Sequence, residues 1–288
     1  MIYLREFTLP SLTRREVFVN DIKHRVYNTV YPFNVFELTE VPTLEFDPIT
    51  ILCGGNGCGK STVLHVIAQA LALRRGAAYN RSSFFDDYVA LCDYEAHGDP
   101  EAIAQGRIIT SDDVFDYLLD VRHMNAGTDL QRDELFEEYK RVKKDGYTFR
   151  TMADYDDLKR FTDARKSTKS AYVRKRLAEN VPERSNGESA LMFFTEAIRE
   201  NALYLLDEPE NSLSAQRQQE LVQFLVDSAR FYGCQFIIAT HSPFILATPG
   251  AKIYSLDGEP RTVRSWTELE SVRTWYDFFM KHQNEFEA

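Results

Sequence analysis

The chain has 288 residues, of which 44% are hydrophobic, and it carries a formal net charge of −10. This length and hydrophobic content are sufficient for a full core in one large domain or two modest ones. The acidic balance argues against indiscriminate nucleic-acid binding but leaves room for a local basic patch. The start of the chain lacks a signal-peptide pattern, and no apolar run approaches the ~18 residues of a membrane span. We therefore expect a cytoplasmic protein without direct membrane insertion.

Residues 1–48 alternate short apolar runs with prolines. Residues 17–19 form one such run and residues 35–38 form another. Short apolar runs separated by prolines are typical of strands joined by turns, so we expect an N-terminal antiparallel β layer. Tyr31 and Phe33 are candidates for stacking on an adenine ring. The alternative, an aromatic core within the β layer, is the more common use of such side chains.

The sequence GGNGCGKS at residues 54–61 matches the P-loop pattern G-x-x-x-x-G-K-[ST]. An apolar run precedes it at residues 49–53 and another follows it, which predicts the strand-loop-helix context that this motif requires. Glycines allow backbone N–H groups to turn toward phosphates, and a helix N-terminus attracts negative charge. The candidate phosphate-binding residues are Gly54, Gly55, Asn56, Gly57, Cys58, Gly59, Lys60, Ser61 and Thr62.

Three side chains of this motif have separate expected roles. Lys60 is expected to reach the β- and γ-phosphates of ATP. The Ser61 hydroxyl is expected to ligate the Mg²⁺ ion that bridges the same two phosphates. Thr62 is expected to support the α-phosphate. The motif therefore predicts a site for ATP and Mg²⁺.

Two further apolar runs end in polar residues. Residues 202–206 lead into Asp207 and Glu208, and residues 236–239 are followed closely by His241. Runs of this length indicate buried parallel strands, and the amphipathic segment between them predicts a right-handed strand-helix-strand unit. Ligand sites in open α/β sheets lie at the carboxyl ends of the strands. These residues are therefore expected on the same sheet edge as the P-loop.

The polar residues at these strand ends have the chemistry of a nucleotide hydrolase. Asp207 is expected to hold Mg²⁺ directly or through water. Glu208 is expected to accept a proton from the water that attacks the γ-phosphate, and His241 to contact that phosphate or orient the water. The alternatives are an acidic strand end for the two carboxylates and a structural role for the histidine.

Residues 113–181 differ in character from the rest of the chain. Charged residues crowd together and apolar residues recur at helical spacing, which predicts a helical lobe inserted after a strand at residues 106–112. The later part of the lobe is basic, with Asp163 as its single acidic residue. The cations of this basic run are Lys159, Arg160, Arg165, Lys166, Lys169, Arg174, Lys175 and Arg176. The run is either a solvated helical face or a docking surface for DNA, other nucleic acid or an acidic partner.

The sequences LLDEPE at residues 205–210 and ATHSP at residues 239–243 resemble the Walker B and switch-histidine motifs of the ABC-ATPase superfamily. In particular, the chain resembles stand-alone bacterial ATPases related to the RecF and SMC groups. The resemblance implies an α/β P-loop NTPase fold with a mixed sheet core, an N-terminal antiparallel β layer and an inserted helical lobe. The expected ATP-binding core comprises residues 1–112 and 182–288, and the lobe comprises residues 113–181.

The resemblance also implies a mechanism that needs two subunits. The sequence SNGES at residues 185–189 lies where the superfamily has its signature motif, L-S-G-G-Q. Ser185, Gly187 and Glu188 are therefore expected to bind the ATP held by the P-loop of a second subunit. ATP would then stabilise a homodimer, and hydrolysis would release it.

Three positions depart from the superfamily pattern. The glutamine expected near the end of the strand at residues 106–112 is absent, and Asp112 is its candidate substitute at the metal. The sequence NSLS at residues 211–214 lacks the aspartate of the D-loop. Cys58 stands where serine is usual. The exchange is either neutral, or it makes ATP binding redox-sensitive through a thiol whose pKa is lowered by the neighbouring lysine and the helix N-terminus.

These residues predict an enzyme that binds and hydrolyses ATP. Its expected role is an ATP-dependent dimerising switch in a process such as DNA repair, DNA maintenance or anti-phage defence, where it would control a partner effector. One alternative is the nucleotide-binding subunit of an ABC transporter, which needs a separate membrane partner. Another is a regulatory module that binds ATP without hydrolysing it. The presence of both Glu208 and His241 argues against that module.

Overall fold

The computed structural model of the chain describes residues 1–22, 29–36, 43–98, 100–144, 155–177, 185–257, 261–263 and 265–287. The chain divides into two compact units. The core unit comprises Met1–Phe115 and Ser185–Ala288, and the helical unit comprises Asp116–Arg184. The boundary expected at residues 181/182 lies outside the described residues.

The strands of the described residues all lie in the core unit. They are β1 (Leu4–Thr8), β2 (Leu44–Glu45), β3 (Ile49–Cys53), β4 (Asp93–Ala96), β5 (Arg107–Thr110), β6 (Leu203–Asp207), β7 (Gln235–Ala239), β8 (Lys252–Ser255) and β9 (Arg261–Val263). A six-stranded sheet has the order β5-β6-β7-β3-β8-β9, in which only β9 is antiparallel to its neighbour. A three-stranded antiparallel sheet has the order β2-β1-β4.

The helices differ widely in length. They are α1 (Leu12–Asp21), α2 (Lys60–Ala70), α3 (Phe85–Ala90), α4 (Pro100–Ala104), α5 (Ser111–Lys144), α6 (Tyr155–Lys166), α7 (Lys169–Arg174), α8 (Asn186–Ala197), α9 (Ala215–Phe231), α10 (Pro243–Leu246), α11 (Glu270–Lys281) and α12 (Gln283–Phe286). A short 3₁₀ helix spans Trp266–Glu268. Among the described helices, none is both long enough and apolar enough to cross a bilayer.

The three central strands of the larger sheet are buried along their whole length. Every residue of β3, β6 and β7 is buried, as expected for parallel strands covered on both faces. Their register aligns their carboxyl ends, since Ala239 pairs with Leu52 on one side and with Asp207 on the other. Thr110 of β5 pairs with Asp207 from the opposite side. The loops after β3, β6, β7 and β5 therefore leave the same edge of the sheet.

The N-terminal residues contain fewer strands than the proline spacing predicts. Residues 17–19 lie in α1, whose N-cap Ser11 accepts a hydrogen bond from the Arg14 N–H, so the expected strand there is wrong. Residues 31–36 form turns, and residues 37 and 38 of the second expected strand lie outside the described residues. The antiparallel layer is built instead from β1, β2 and β4. Strand β5 is also shorter than expected, because α5 begins at Ser111.

The regular elements of the helical unit, within its described residues, are all helices. Its small core consists of Tyr139, Ala164, Tyr172 and Val173. The Tyr172 hydroxyl donates to Glu138 at 2.9 Å, which ties α7 to α5. Together with the mixed sheet and the antiparallel layer of the core unit, these helices confirm the predicted fold class.

Candidate functional site

The loop between β3 and α2 has the backbone of a phosphate-binding loop. Gly54, Gly57 and Gly59 have φ angles of 149°, 83° and 97°. Gly59 is the most constrained, because an added Cβ would lie 2.4 Å from the Phe36 ring. Helix α2 begins at Lys60, immediately after this glycine, so its N–H groups point into the loop.

Lys60 is only 4% exposed although it carries a charge. Its Nζ donates to the carbonyl oxygens of Gly54 at 2.8 Å and Gly55 at 3.0 Å. These bonds hold the ammonium group inside its own loop. The loop therefore concentrates positive charge and N–H donors where phosphates are expected.

Ser61 and Asp207 lie side by side although 146 positions separate them in the sequence. The Ser61 hydroxyl donates to Asp207 Oδ1 at 2.9 Å. Asp207 is 9% exposed, and its burial raises the pKa of the carboxyl group to about 6. The nearby charges of Glu208 and Glu210 also raise this pKa, whereas the Ser61 hydrogen bond and Lys60 lower it. A cation at this position would relieve the cost of burying the carboxylate.

This pair of oxygen ligands fits Mg²⁺. Mg²⁺ is commonly held by one or two protein carboxylates, with waters and substrate phosphates completing its shell. No cluster of three or more His, Cys, Asp or Glu side chains suited to a metal is found within the described parts of the chain. The Ser61 hydroxyl and the Asp207 carboxylate could hold a Mg²⁺ ion whose other ligands are waters and phosphate oxygens.

Glu208 and His241 face each other beside this pair. Glu208 has a φ of 49°, which is rare for a residue with a side chain. Its Oε2 accepts a hydrogen bond from the Asn211 side-chain amide at 3.1 Å, and its Oε1 lies 3.6 Å from His241 Nδ1. The Glu208 backbone N–H donates to the Ala239 carbonyl at 2.9 Å. A strained backbone held in place by its neighbours is typical of functional sites.

The segment SNGES forms the N-terminus of α8. Ser185 is the N-cap, and it exchanges hydrogen bonds with Glu188 in a capping box. Glu188 also contacts Arg217 of α9 at 3.0 Å, so its negative charge is paired within the chain. Ser185 is exposed, and Gly187 lies beside Ser212 and Arg217 of the segment that follows β6. An exposed helix N-terminus with a paired carboxylate can accept an anion from another molecule.

Thr62, Phe33 and Asp112 are the remaining candidate residues, and each lies in different surroundings. Thr62 is buried, and the Tyr31 hydroxyl hydrogen-bonds its Oγ1 at 3.2 Å. Phe33 is buried against Phe18 with the rings stacked, so it belongs to the aromatic core. Asp112 is exposed in the first turn of α5, two residues beyond the partner of Asp207 in β5.

Asp113, the neighbour of Asp112, is the buried carboxylate of this turn. It accepts hydrogen bonds from the Thr110 N–H and hydroxyl and from the Ala77 N–H, all at 2.8 to 3.0 Å. Arg107 lies 3.6 Å from it. Asp113 therefore ties the start of α5 to β5 and to the loop after α2.

Of the two alternatives for Cys58, the one that requires an acidic thiol is wrong. Burial raises the pKa of Cys58 above its ordinary value, and the opposing effect of Lys60 is smaller. The Lys60 ammonium lies 3.9 Å from the Cys58 sulfur but is committed to two backbone carbonyls. The neutral exchange of small residues is therefore the interpretation that the structure favours.

The basic run of the helical unit is partly committed to contacts within that unit. Lys169 lies over the Phe136 ring at 4.0 Å, and Arg176 lies over Tyr172 at 3.9 Å. Arg176 also pairs with Asp163 at 2.9 Å. These cations stabilise the packing of α5, α6 and α7, while Lys166 and Arg174 are exposed.

One site residue was missed by sequence reasoning. Glu210 is buried, and one of its carboxylate oxygens accepts hydrogen bonds from Thr240, His241 and Ser242. The only signal in the sequence is a third carboxylate close behind the Asp-Glu pair. A strand-end carboxylate is ordinary by itself, because its partners lie 30 residues away and become visible only in the fold.

Comparisons with known proteins agree with this geometry. A family model described as "AAA domain, putative AbiEii toxin, Type IV TA system" matches residues 174–247, about a quarter of the chain. This segment includes SNGES, both Walker B carboxylates and the switch histidine. A comparison with curated proteins found no match.

Several solved structures match the chain at low sequence identity. The SMC head domain of Pyrococcus furiosus, bound to the C-terminal domain of ScpA, is 14% identical over all of both chains, with a TM-score of 0.45. A nucleotide-free ATP-binding cassette from an ABC transporter is 13% identical over 96% of each chain, with a TM-score of 0.44. A dimeric ATP-binding cassette bound to ADP and Pi is 17% identical over 78% of this chain and 90% of that chain, with a TM-score of 0.40.

The P-loop, the buried carboxylate that its serine contacts and the Glu208–His241 pair lie together at one edge of the sheet. The family match covers the motifs that contribute the two carboxylates and the histidine. Together these observations describe the nucleotide site of a P-loop ATPase, and over residues 174–247 the chain is similar to the AAA family of the matching model.

Proposed function

We propose that this ATPase is a switch in which Mg-ATP joins two copies of the chain and hydrolysis separates them. One observation carries the proposal: the exposed N-terminus of α8 at Ser185 belongs to the same unit as the P-loop and the Glu208–His241 pair. A nucleotide on one copy can then be completed by the α8 N-terminus of the other. ATP bound to both copies would stabilise the pair by mass action.

The P-loop would bind the phosphates of ATP. The N–H groups of residues 54–62 and the Lys60 ammonium supply the positive charge, and Lys60 would exchange its two carbonyl partners for phosphate oxygens. Ser61 and Asp207 would hold Mg²⁺, with Asp112 as a further candidate ligand. When bound, Mg²⁺ neutralises charge on the β- and γ-phosphates.

Glu208 and His241 would carry out the hydrolytic step. A water would attack the γ-phosphorus, the bond to the β–γ bridging oxygen would break, and ADP and inorganic phosphate would leave. Glu208 would accept the proton of the attacking water, because its carboxylate is held by Asn211 on one side and lies close to His241 on the other. His241 would orient this water or contact the γ-phosphate.

The α8 N-terminus would complete the site of the opposite copy. Ser185 and the Gly187 N–H would donate to the γ-phosphate. Glu188 would not repel it, because its carboxylate is paired with Arg217. Ser185, Gly187 and Glu188 would thus contribute together to ATP binding. Glu188 would do so by fixing the first turn of α8 through its hydrogen bond to the Ser185 N–H.

The cellular setting that we propose is defence against mobile elements or DNA maintenance, with the ATPase controlling a partner effector. The matching family model is described as a putative toxin of a toxin–antitoxin system, which supports such a pairing. The SMC head among the similar structures is bound to a second protein, ScpA. The transporter alternative is not favoured, because the family match points to a toxin system.

Light-scattering mass tests the switch. Glu208→Gln is expected to bind ATP but not complete hydrolysis, so its mass should double on addition of Mg-ATP. Lys60→Ala is the matched control and should remain at the mass of the nucleotide-free protein. A Glu208→Gln protein whose mass is unaffected by Mg-ATP would contradict the switch.

Mixing two inactive variants tests whether Ser185 acts on the other copy. Lys60→Ala removes the P-loop lysine, and Ser185→Arg blocks the α8 N-terminus. A mixed pair contains one site built from the unmodified P-loop of one copy and the unmodified α8 of the other. ATPase activity should therefore return on mixing, whereas a site contained within one chain would leave the mixture inactive.

A further inference from the structure

Glu210 occupies an unusual position for a carboxylate. It is 7% exposed and lies in the loop after β6. Its Oε1 accepts three hydrogen bonds from the loop after β7: the Thr240 hydroxyl at 2.7 Å, the His241 N–H at 3.0 Å and the Ser242 N–H at 3.2 Å. A single side chain from one loop thus holds three consecutive residues of the other.

The same carboxylate also lies close to the His241 ring. Glu210 Oε1 is 3.9 Å from Nε2, while Glu208 Oε1 is 3.6 Å from Nδ1. The imidazole therefore lies between two carboxylates of the loop after β6. Its backbone is fixed by Glu210, and one of its ring nitrogens faces Glu208.

The Glu210 carboxylate is only partly satisfied. Its Oε2 is buried and has no hydrogen-bond partner among the residues that the structure describes. A buried polar atom without a hydrogen-bond partner is costly, and an apolar residue would avoid that cost. Fold stability alone therefore does not explain a glutamate at this position. Such local costs are typical of sites where the geometry serves the reaction.

We propose that Glu210 is a positioning residue for ATP hydrolysis, which holds the loop of residues 240–242 and so orients His241 toward Glu208. The inference rests on the hydrolytic roles proposed above for Glu208 and His241. Glu210 would touch neither ATP nor the attacking water. Its effect would pass entirely through His241.

Steady-state kinetics of Glu210→Ala give the first test. Without the carboxylate, three donors of the loop lose their common acceptor, and His241 is no longer fixed. Misplacement of a catalytic group by about 1 Å costs on the order of 100-fold in rate, so kcat should fall by about that factor. ATP affinity should change less than about threefold, because the P-loop contacts are untouched. A loss that appears mainly in ATP affinity would overturn the proposal.

Two further variants separate positioning from general damage. Glu210→Gln keeps an oxygen that can accept the three hydrogen bonds, so it should restore kcat to within about fivefold of the unmodified enzyme. Gln218→Ala removes the partner of the Ser242 hydroxyl, which is 2.6 Å away, but leaves the Glu210 contacts in place. It should change kcat by less than about threefold. A Glu210→Gln enzyme as slow as Glu210→Ala would refute a role based on the loop geometry.

A double-mutant cycle with His241→Ala shows whether the two residues act as one unit. If Glu210 acts through His241, Glu210→Ala should cause little further loss of kcat in the His241→Ala background. Additive losses would show that Glu210 acts by another route. The unfolding temperature of each variant serves as the control for folding.

Hydrogen exchange provides a readout that does not depend on turnover. The His241 amide donates to Glu210, so Glu210→Ala should speed its exchange while the β3 amides stay protected. The Ser242 amide should respond less, because it also donates to the Thr240 hydroxyl at 3.0 Å. Unchanged exchange would show that the carboxylate does not hold the loop. Absence of turnover in the unmodified protein would instead contradict the hydrolytic roles, and the exchange result would still decide the structural part of the inference.

Discussion

Burial changes the proton affinity of the Asp207 carboxylate, the candidate ligand of Mg²⁺. Its raised pKa of about 6 means that the folded, nucleotide-free protein binds a proton more tightly than the unfolded chain does. The contribution of Asp207 to the free energy of unfolding must therefore fall as the pH rises from about 4 to about 6. Above this range the buried charge costs about 3 kcal/mol, since each pKa unit corresponds to about 1.4 kcal/mol.

Replacing Asp207 by Asn should therefore stabilise the nucleotide-free protein in a pH-dependent way. We expect a gain approaching 3 kcal/mol above pH 7 that shrinks toward zero below pH 4, because the amide carries no charge. Denaturant unfolding at several pH values measures this difference. The same variant should lose the stabilisation that Mg-ATP provides. A gain that is equal at pH 4 and pH 8 would contradict burial as its cause.

The glycines of the P-loop offer a matched pair of substitutions. Gly59 has a φ of 97°, and an added Cβ would lie within 2.4 to 2.9 Å of Phe36 and Val35. An added Cβ at Gly55 would lie no closer than 3.6 Å to its nearest neighbour, an oxygen of Asp257. Gly59→Ala should therefore lose ATP binding by at least about 100-fold, while Gly55→Ala should stay within about threefold. Titration with a fluorescent ATP analogue compares the two, and equal losses would contradict the steric argument.

Sequence spacing is informative where function depends on residues that are neighbours in the chain. The P-loop, the Asp207–Glu208 pair and His241 could each be predicted because each follows a short apolar strand. The role of Glu210 could not be predicted, since it depends on a hydrogen bond with Thr240, which lies 30 positions later in the sequence. The pKa of Cys58 could not be predicted either, because burial outweighs the lysine that adjoins it in sequence.

At the scale of elements, the continuous apolar runs identified β3, β6 and β7 because both faces of a central parallel strand are buried. Shorter apolar runs did not identify strands correctly. Residues 17–19 look like a strand in isolation, but the Ser11 cap starts a helix there. Helix α2 ends at Ala70 because the chain turns at Ala72, with a φ of 51°, and Arg74 then pairs with β5.

Gln235 joins the two sheets of the core unit. It is fully buried at the start of β7. Its side-chain oxygen accepts hydrogen bonds from the Tyr3 and Leu4 N–H groups, and its amide donates to the carbonyls of Leu4 and Asp47. One side chain thus satisfies four backbone groups where β1 and the entry to β3 meet β7.

Substituting Gln235 by Leu should destabilise the core unit by at least about 3 kcal/mol. The apolar side chain has a similar size but removes the hydrogen bonds to four backbone groups, and each buried group that is left without a partner costs about 1–3 kcal/mol. Gln223→Leu is the control, because Gln223 makes an exposed contact with Asp227 within α9. Denaturant unfolding should show a large loss for the first variant and less than about 0.5 kcal/mol for the second. Equal losses would mean that Gln235 does not link the sheets.

At the scale of the whole molecule, charge is divided unevenly along an acidic chain. The net charge of −10 coexists with a run of eight cations in the helical unit. Contacts with Phe136, Tyr172 and Asp163 show that part of this run stabilises the unit itself. Any binding of DNA phosphates must therefore depend mainly on the exposed cations, including Lys166 and Arg174.

Salt dependence tests this last proposal directly. If the run binds DNA, affinity should fall steeply with salt, and Lys166→Glu combined with Arg174→Glu should make the slope of log K against log salt shallower by about 2, one for each lost phosphate contact. Lys140→Glu is the control, because Lys140 is an exposed cation of α5 outside the run and is paired with Glu137. Circular dichroism checks that the helices remain. Binding that ignores salt, or an equal effect of Lys140→Glu, would assign the run to the packing and solvation of the helical unit alone.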